Sequence, residues 1–272
     1  MKSQDRLEVL EKIKLYEKEG KFDLPVENDP PAPQLMPDKV DYLCEKPFAK
    51  WRTGVANKLA IAFFEDLIKK GKIVIDANLG IENVKAIEGG AIITCNHFSI
   101  YDHYLIYRAL RDILKDGILY KVIREGNYTG MQGFFGKLFR NCNTLPLSSN
   151  METMKLFLKA VSTLLDRGEK ILVYPEQEMW WNYRKPRPMK PGAFKFAVKN
   201  NVPIIPAFIT LRDTDKIGDD GCNIQGNTVH FLPAIYPKPE LSVKDNERYL
   251  MEENYKAWKK LYEETYNIPL EY

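Results

Sequence analysis

The sequence predicts an α/β fold: a mainly parallel central sheet flanked by helices, with an N-terminal helical extension. Three observations lead there. Short β-branched runs alternate with helical patterns along most of the chain, as βαβ units do. A proline-rich stretch sets a charged helical segment apart from everything that follows. With 272 residues, 44% hydrophobic and 28% charged, the chain has the composition of a globular protein and enough length for a sizeable core.

Arg6 to Glu19 reads as a charged helix, and Asp29-Pro-Pro-Ala-Pro-Gln-Leu-Met-Pro37 follows it, where proline suits neither helix nor strand. Residues 1–45 are therefore expected to form an extension and connector, and 46–272 a single α/β domain. From Trp51 to Lys70, Val55, Leu59, Phe63 and Leu67 recur at helical spacing, widened by Ile61, Phe64 and Ile68, which predicts an amphipathic helix. Strands are expected near Ile73–Asp76, Ala91–Cys95, Ile118–Ile123, Ile171–Tyr174, Val202–Ile209 and Thr228–Leu232. Helices fall around Ile100–Leu114, Glu152–Arg167, where Gly168 stops the run, and Gly192–Asn200. A last helix opens on the capping pattern Ser242-Val-Lys-Asp245 and turns Leu250, Trp258 and Leu261 inward. No internal repeat interrupts this order.

Composition narrows the class of function. The start, Met-Lys-Ser-Gln-Asp-Arg, lacks the apolar core of an export leader. The longest apolar runs fall well short of the roughly 20 residues that span a bilayer, so contact with membrane is expected at its surface. Cys44, Cys95, Cys142 and Cys222 show no paired spacing, which fits a reducing cytoplasm better than a disulfide framework or a zinc knuckle. The net charge of +3 is mild and no nucleic-acid-binding module is recognisable, so nucleic acid is not an expected partner. The charge is uneven, however: Met179 to Arg212 contains no acid but carries Arg184, Lys185, Arg187, Lys190, Lys195, Lys199 and Arg212. Such a run can face an anion or simply lie in solvent.

The stretch Ala91-Ile-Ile-Thr-Cys-Asn-His-Phe-Ser-Ile-Tyr-Asp102 is a buried-type strand running through a loop into a helix. Ligands of open parallel sheets collect beyond the carboxyl ends of strands, where Asn96 and His97 would emerge. Residues five apart on one helix point about 140° away from each other, so His97 and Asp102 can meet only if the histidine precedes the helix. With Ser99 as the cap, Asp102 would be the third helical residue and could hold the imidazole that takes a proton from an attacking hydroxyl. The competing readings are a plain capping box with a satisfied loop histidine, a metal site of His97, Asp102 and His103 lacking further ligands, and Cys95 as nucleophile at a position where a small hydrophobe belongs.

Asn96-His97, four residues and Asp102 resemble the first signature of the glycerolipid (lysophospholipid) acyltransferase family. Further resemblances follow in order: Val74–Asn83 to the family's strand and turn before the catalytic loop, Tyr174-Pro-Glu176 to its third signature, and Val202-Pro-Ile-Ile-Pro206 to its fourth. The resemblance spans roughly 72–235 and is 1-acylglycerol-3-phosphate acyltransferase-like. It implies an acyl thioester donor, either coenzyme A or an acyl carrier protein, with no further cofactor and no metal. It also implies a lipid-like acceptor, His97 as general base, Asp102 as its partner and Glu176 at the acceptor. Where the family carries glycine, threonine and arginine this chain has Gln177-Glu178-Met179, and Asn143–Asn150 holds serines in place of another arginine. Arg184, Arg187 and Lys190 are then candidates to hold an acceptor phosphate; otherwise the acceptor is a different hydroxyl or an amine.

An acceptor embedded in a bilayer requires a lipid-facing mouth, for which Trp51, Phe63 and Phe64 on the amphipathic helix are the expected contacts, with Trp180 and Trp181 as secondary ones that dip into lipid or line an acyl tunnel. Met131–Phe139 is a secondary candidate, and core packing is the alternative for all of them. The protein is thus expected to act as a peripheral enzyme on the inner face of the membrane. The alternatives are a noncatalytic membrane-binding protein with the same fold, or a hydrolase using water or Ser99, for which no nucleophile elbow is present.

Overall fold

The computed structural model describes residues 3–27 and 31–272, so Asp29 and Pro30 of the proline-rich connector lie outside the described residues. In chain order the elements are α1 (Gln4–Lys18), α2 (Ala49–Lys69), β1 (Val74–Leu79), α3 (Ile81–Lys85), β2 (Ala91–Thr94), α4 (Asp102–Leu110), β3 (Leu119–Ile123), α5 (Glu125–Thr129), α6 (Gly133–Asn141) and β4 (Thr144–Pro146). There follow α7 (Met151–Asp166), β5 (Lys170–Val173), α8 (Gly192–Lys199), β6 (Ile204–Ile217), β7 (Asn223–Phe231) and α9 (Val243–Tyr266).

Among the described residues seven strands form one sheet in the order β1-β7-β6-β2-β5-β3-β4. The stretch from β6 to β4 is parallel throughout, whereas β7 runs antiparallel to β6 and carries β1 parallel to itself at the far edge. The sheet is mainly parallel, as the alternation of elements predicts. β2 lies at its centre, paired with β5 through Thr94 and Val173 and with β6 through Thr94 and Pro206.

Alternate residues of these central strands feed two cores, which is why they read as continuous apolar runs. Ile93, Leu172 and Ile205 point to the face covered by α2 and α4, together with Phe64 and Leu105. Ile92, Ile171 and Ile204 point to the face covered by α7 and α8, where Leu35 and Tyr42 of the connector also pack. On α9, Asn246, Leu250, Asn254, Trp258 and Tyr262 are buried at steps of four. The inward residue near the end is therefore Tyr262, one position beyond the expected Leu261, because the stripe follows the i, i+4 row.

Gly80 ends β1 with φ +73°, and a Cβ there would sit 2.0 Å from the Phe231 carbonyl oxygen, so the turn into α3 depends on glycine. Short elements the sequence did not announce, α5, α6 and β4, fill residues 125–146. No helix of the described residues is long and apolar enough to cross a membrane.

The N-terminal helix lies against the segment that follows β5. Val9, Ile13 and Val26 surround Trp180, with Tyr16, Phe22 and Trp181 packed at the border. This contact overturns the expectation that Trp180 and Trp181 meet lipid. Trp180 is fully buried and donates its Nε1–H to the Leu24 carbonyl oxygen at 3.0 Å, and the Arg6 guanidinium covers the Trp181 ring at 4.3 Å.

Candidate active site

The site begins where β2 runs out. Asn96 is buried and imitates one more ladder step: its Oδ1 accepts from Ile209 N at 2.8 Å and its Nδ2 donates to Ile209 O at 3.0 Å. The chain then leaves the sheet, and His97 emerges at the carboxyl ends of β2 and β5 together with Tyr174, Pro175 and Glu176.

His97 and Asp102 meet. The His97 Nδ1 lies 2.7 Å from Asp102 Oδ2. Helix α4 starts at Asp102, later than Ile100, and Ser99–Tyr101 form a turn, so Asp102 is the first helical residue in place of the third. The physical reason is that the carboxylate folds back over the loop: Oδ2 also accepts from Phe98 N at 3.2 Å and Ser99 N at 3.3 Å, while Oδ1 accepts from Tyr174 Oη at 2.6 Å. Capping of the loop and orientation of the histidine thus coexist on one side chain. The amides of Tyr101 and Asp102 turn towards Ser99, so the start of α4 does not offer them to the cleft as oxyanion donors.

Asp102 is wholly buried, and burial alone would raise its pKa. The neighbouring His97 and the hydrogen bonds from His97 and Tyr174 outweigh this and hold the carboxyl below its usual range. Burial, together with the Asp102 charge, pushes the Tyr174 hydroxyl well above its ordinary value, so it remains a donor. The Tyr174 ring also stacks on His97, with centroids 4.1 Å apart and planes 19° from parallel. His103, next along α4, packs edge-on against Phe64 at 5.4 Å, and burial pushes it down to about 4, so it is neutral near pH 7. The Cys95 thiol is buried and pushed well above its ordinary value, so it is held un-ionised, unlike a nucleophile.

Glu176 is not placed to hold an acceptor. It is buried, with Oε2 accepting from His97 N at 3.1 Å and from Arg187 Nη2 at 3.0 Å, and Oε1 accepting from Arg187 N at 2.8 Å. Arg187 is correspondingly removed from any acceptor: its side chain is 1% exposed, stacks on Trp180 at 4.8 Å and reaches the Phe22 carbonyl. The same loop grips the catalytic backbone through Trp180 N to His97 O and Asn182 N to Phe98 O, both 3.0 Å. Of the other candidate cations, Arg184 pairs with Asp213 at 2.9 Å and Lys190 with Asp23 at 2.9 Å. Arg184, Lys185, Arg187, Lys190 and Arg212 of the acid-free run therefore answer to acids elsewhere in the chain, which local sequence does not reveal.

A cleft of about 1490 Å³ opens beside His97, walled by Ile61, Phe64, Tyr104, Leu119 and Leu138, and Lys190 reaches its border. Lys121 also lines it, with no carboxylate partner among the described residues, and burial lowers its pKa. Neither Lys121 nor Tyr174 stood out in the sequence as a site residue. Each becomes visible only through the strand order, which places β5 beside β2 and β3 next to β5.

Met131, Phe135 and Phe139 line the cleft, and the start of α2 beside it exposes apolar side chains that line a neighbouring hollow. Trp51 is 69% exposed, and Phe48 at 79% precedes it. Phe63 is half-buried between Phe134 and Phe135, each ring 5.6 Å away. Phe64 is buried and stacked on Tyr104 at 4.6 Å, so it is a core residue and not the expected membrane contact. Among the described residues no group of three or more His, Cys, Asp or Glu is placed to hold a metal ion.

Comparison with known proteins agrees with this arrangement. Residues 78–210 match the family described as Acyltransferase. No curated protein matches the chain. Among solved structures, the 1-acyl-sn-glycerophosphate (LPA) acyltransferase PlsC from Thermotoga maritima superimposes with a TM-score of 0.53 at 18% identity, over 94% of this chain and 93% of that one. At that identity the likeness concerns the fold.

Proposed function

Since this chain carries a domain of the acyltransferase family across residues 78–210, we propose that it moves a fatty acyl group from an acyl thioester to a hydroxyl of a lipid-like acceptor. The observation that carries the reading is the His97–Asp102 contact of 2.7 Å in the wall of a large apolar cleft. With Nδ1 held by Asp102, Nε2 is the nitrogen available for chemistry. It takes the proton of the acceptor hydroxyl as the oxygen attacks the thioester carbonyl, and Asp102 stabilises the imidazolium that forms. The tetrahedral oxyanion then collapses, the C–S bond breaks, and the thiolate leaves as thiol with the proton returned from His97. Acyl group and proton have changed places, and no covalent enzyme intermediate is involved.

The apolar wall suits the acyl chain, and Lys121, which has no carboxylate partner among the described residues, supplies a basic group for an anionic head group of donor or acceptor. On this reading the protein works as a peripheral enzyme at the inner, cytoplasmic face of a membrane, with Phe48, Trp51, Phe134 and Phe135 dipping into lipid.

The test is to incubate the protein with acyl-coenzyme A or an acyl carrier protein thioester and vesicles containing a panel of lyso-lipids, glycolipids and aminolipids, then to weigh the lipids by mass spectrometry. A lipid heavier by one acyl group supports the reading and identifies the acceptor and donor. Free fatty acid alone, released at the same rate with or without acceptor, contradicts it in favour of hydrolysis.

A further inference from the structure

We infer that Tyr174 is a positioning residue for the His97–Asp102 pair, its hydroxyl fixing the plane of the Asp102 carboxylate and its ring backing the imidazole. The inference rests on the acyltransferase reading of this site. Its basis is the division of labour on one buried carboxylate. Oδ2 serves His97, Phe98 N and Ser99 N, whereas Oδ1 has a single donor among the described residues, the Tyr174 hydroxyl at 2.6 Å. A carboxylate held at one oxygen only can rotate about its terminal torsion, which has a broad, soft profile. Held at both oxygens it cannot, and Oδ2 stays aimed at Nδ1. The ring of the same tyrosine lies nearly parallel to the imidazole at 4.1 Å and blocks one side of it.

The two contacts can be separated. Tyr174→Phe keeps the stacked ring and removes the donor; Tyr174→Leu removes both. Around Asp102 stand His97 in the loop, Tyr101 before α4, His103 on α4, Cys95 at the end of β2 and Tyr174 after β5. Of these, His97 and Tyr174 supply the side-chain hydrogen bonds that hold the carboxyl low. Without the Tyr174 hydroxyl the carboxyl is protonated at higher pH, so the orienting charge is lost sooner on acidification.

The experiment measures thioester turnover against pH for wild type and both variants, together with the downfield proton resonance of the His97 Nδ1–H. For Tyr174→Phe the expected result is a kcat lower by roughly tenfold, part of the 10²–10⁴ that a positioned base contributes. Acceptor and donor KM should stay within about twofold, the acid limb should move to higher pH, and the proton resonance should shift or broaden. Tyr174→Leu is expected to lose more. Wild-type kcat with an unmoved acid limb and an unchanged resonance in Tyr174→Phe overturns the inference. A raised KM at constant kcat also overturns it, since Tyr174 would then touch substrate. Should the wild type turn over no thioester at all, it is the acyltransferase reading that fails, and the proton resonance alone decides the role of Tyr174.

Discussion

The corner between β2 and α4 and the rim formed by α2 and α6 border the same cleft but are built on opposite principles. In the corner, buried polar groups satisfy one another: Asn96 with Ile209, Asp102 with His97 and Tyr174, Glu176 with Arg187. At the rim, Phe134 and Phe135 present apolar surface to the exterior with their rings 5.5 Å apart, and Phe48 and Trp51 stand exposed at the start of α2. Directional chemistry needs atoms held to fractions of an ångström, which networks of buried hydrogen bonds provide. Contact with lipid needs only apolar area, to which each side chain adds a little. Perturbations should therefore act sharply in the corner and gradually at the rim.

The largest effect is expected from His97→Ala, which removes the base and lowers turnover by about 10²- to 10⁴-fold. The ring is partly exposed to the cleft, so thermal stability should be nearly unchanged, and a collapse of the fold would mean the histidine is structural. Next comes Arg187→Met. Breaking a buried pair strands the Glu176 charge and costs about 3–5 kcal/mol, read as a lowered denaturant midpoint. Pairing it with Glu176→Gln should recover part of that loss, and a single variant as stable as wild type would show that the pair does not brace the His97 loop.

A smaller effect concerns pH. His103 has a folded value of about 4, below its ordinary 6.5, so between these values the unfolded chain binds a proton that the folded chain does not. Stability is expected to decline as pH falls from about 6.5 towards 4. His103→Gln should flatten that decline while His230, also lowered by burial, keeps part of it. An identical slope in the variant would contradict the neutral, buried assignment. The smallest effect belongs to the rim: Trp51→Ala should weaken binding to vesicles a few-fold and leave the folding midpoint within about 0.5 kcal/mol. Loss of turnover on soluble acceptors in that variant would break the contrast between rim and corner.

What the sequence made legible follows the same division. The five-residue offset between His97 and Asp102 is local, and it correctly required the histidine to precede the helix. The helix start came later than expected because Asp102 captures the amides of Phe98 and Ser99, a preference that no capping pattern encodes. Arg187 and Trp180 lie in a run rich in Arg, Lys and Pro that resembles an exposed basic loop. Trp180 is buried because Val9 and Ile13 of α1, with Val26, close over it, and Arg187 reaches the Phe22 carbonyl just beyond that helix. Glu176 took its expected role from the family resemblance, while its partner lies eleven residues on, across a loop whose path depends on Gln177 at φ +65°. Phe64 belonged to the stripe that suggested lipid contact, but one face of an amphipathic helix must meet the core, and Tyr104 fixes which.

The central claim is that the His97–Asp102 pair activates an acceptor for acylation. Its most direct test is the rate of thiol release from an acyl thioester, with and without lyso-lipid acceptors, compared between wild type and His97→Ala. The account predicts release that depends on the acceptor in the wild type and vanishes in a folded His97→Ala variant. Release that persists in the variant, or that ignores the acceptor in both, would contradict it.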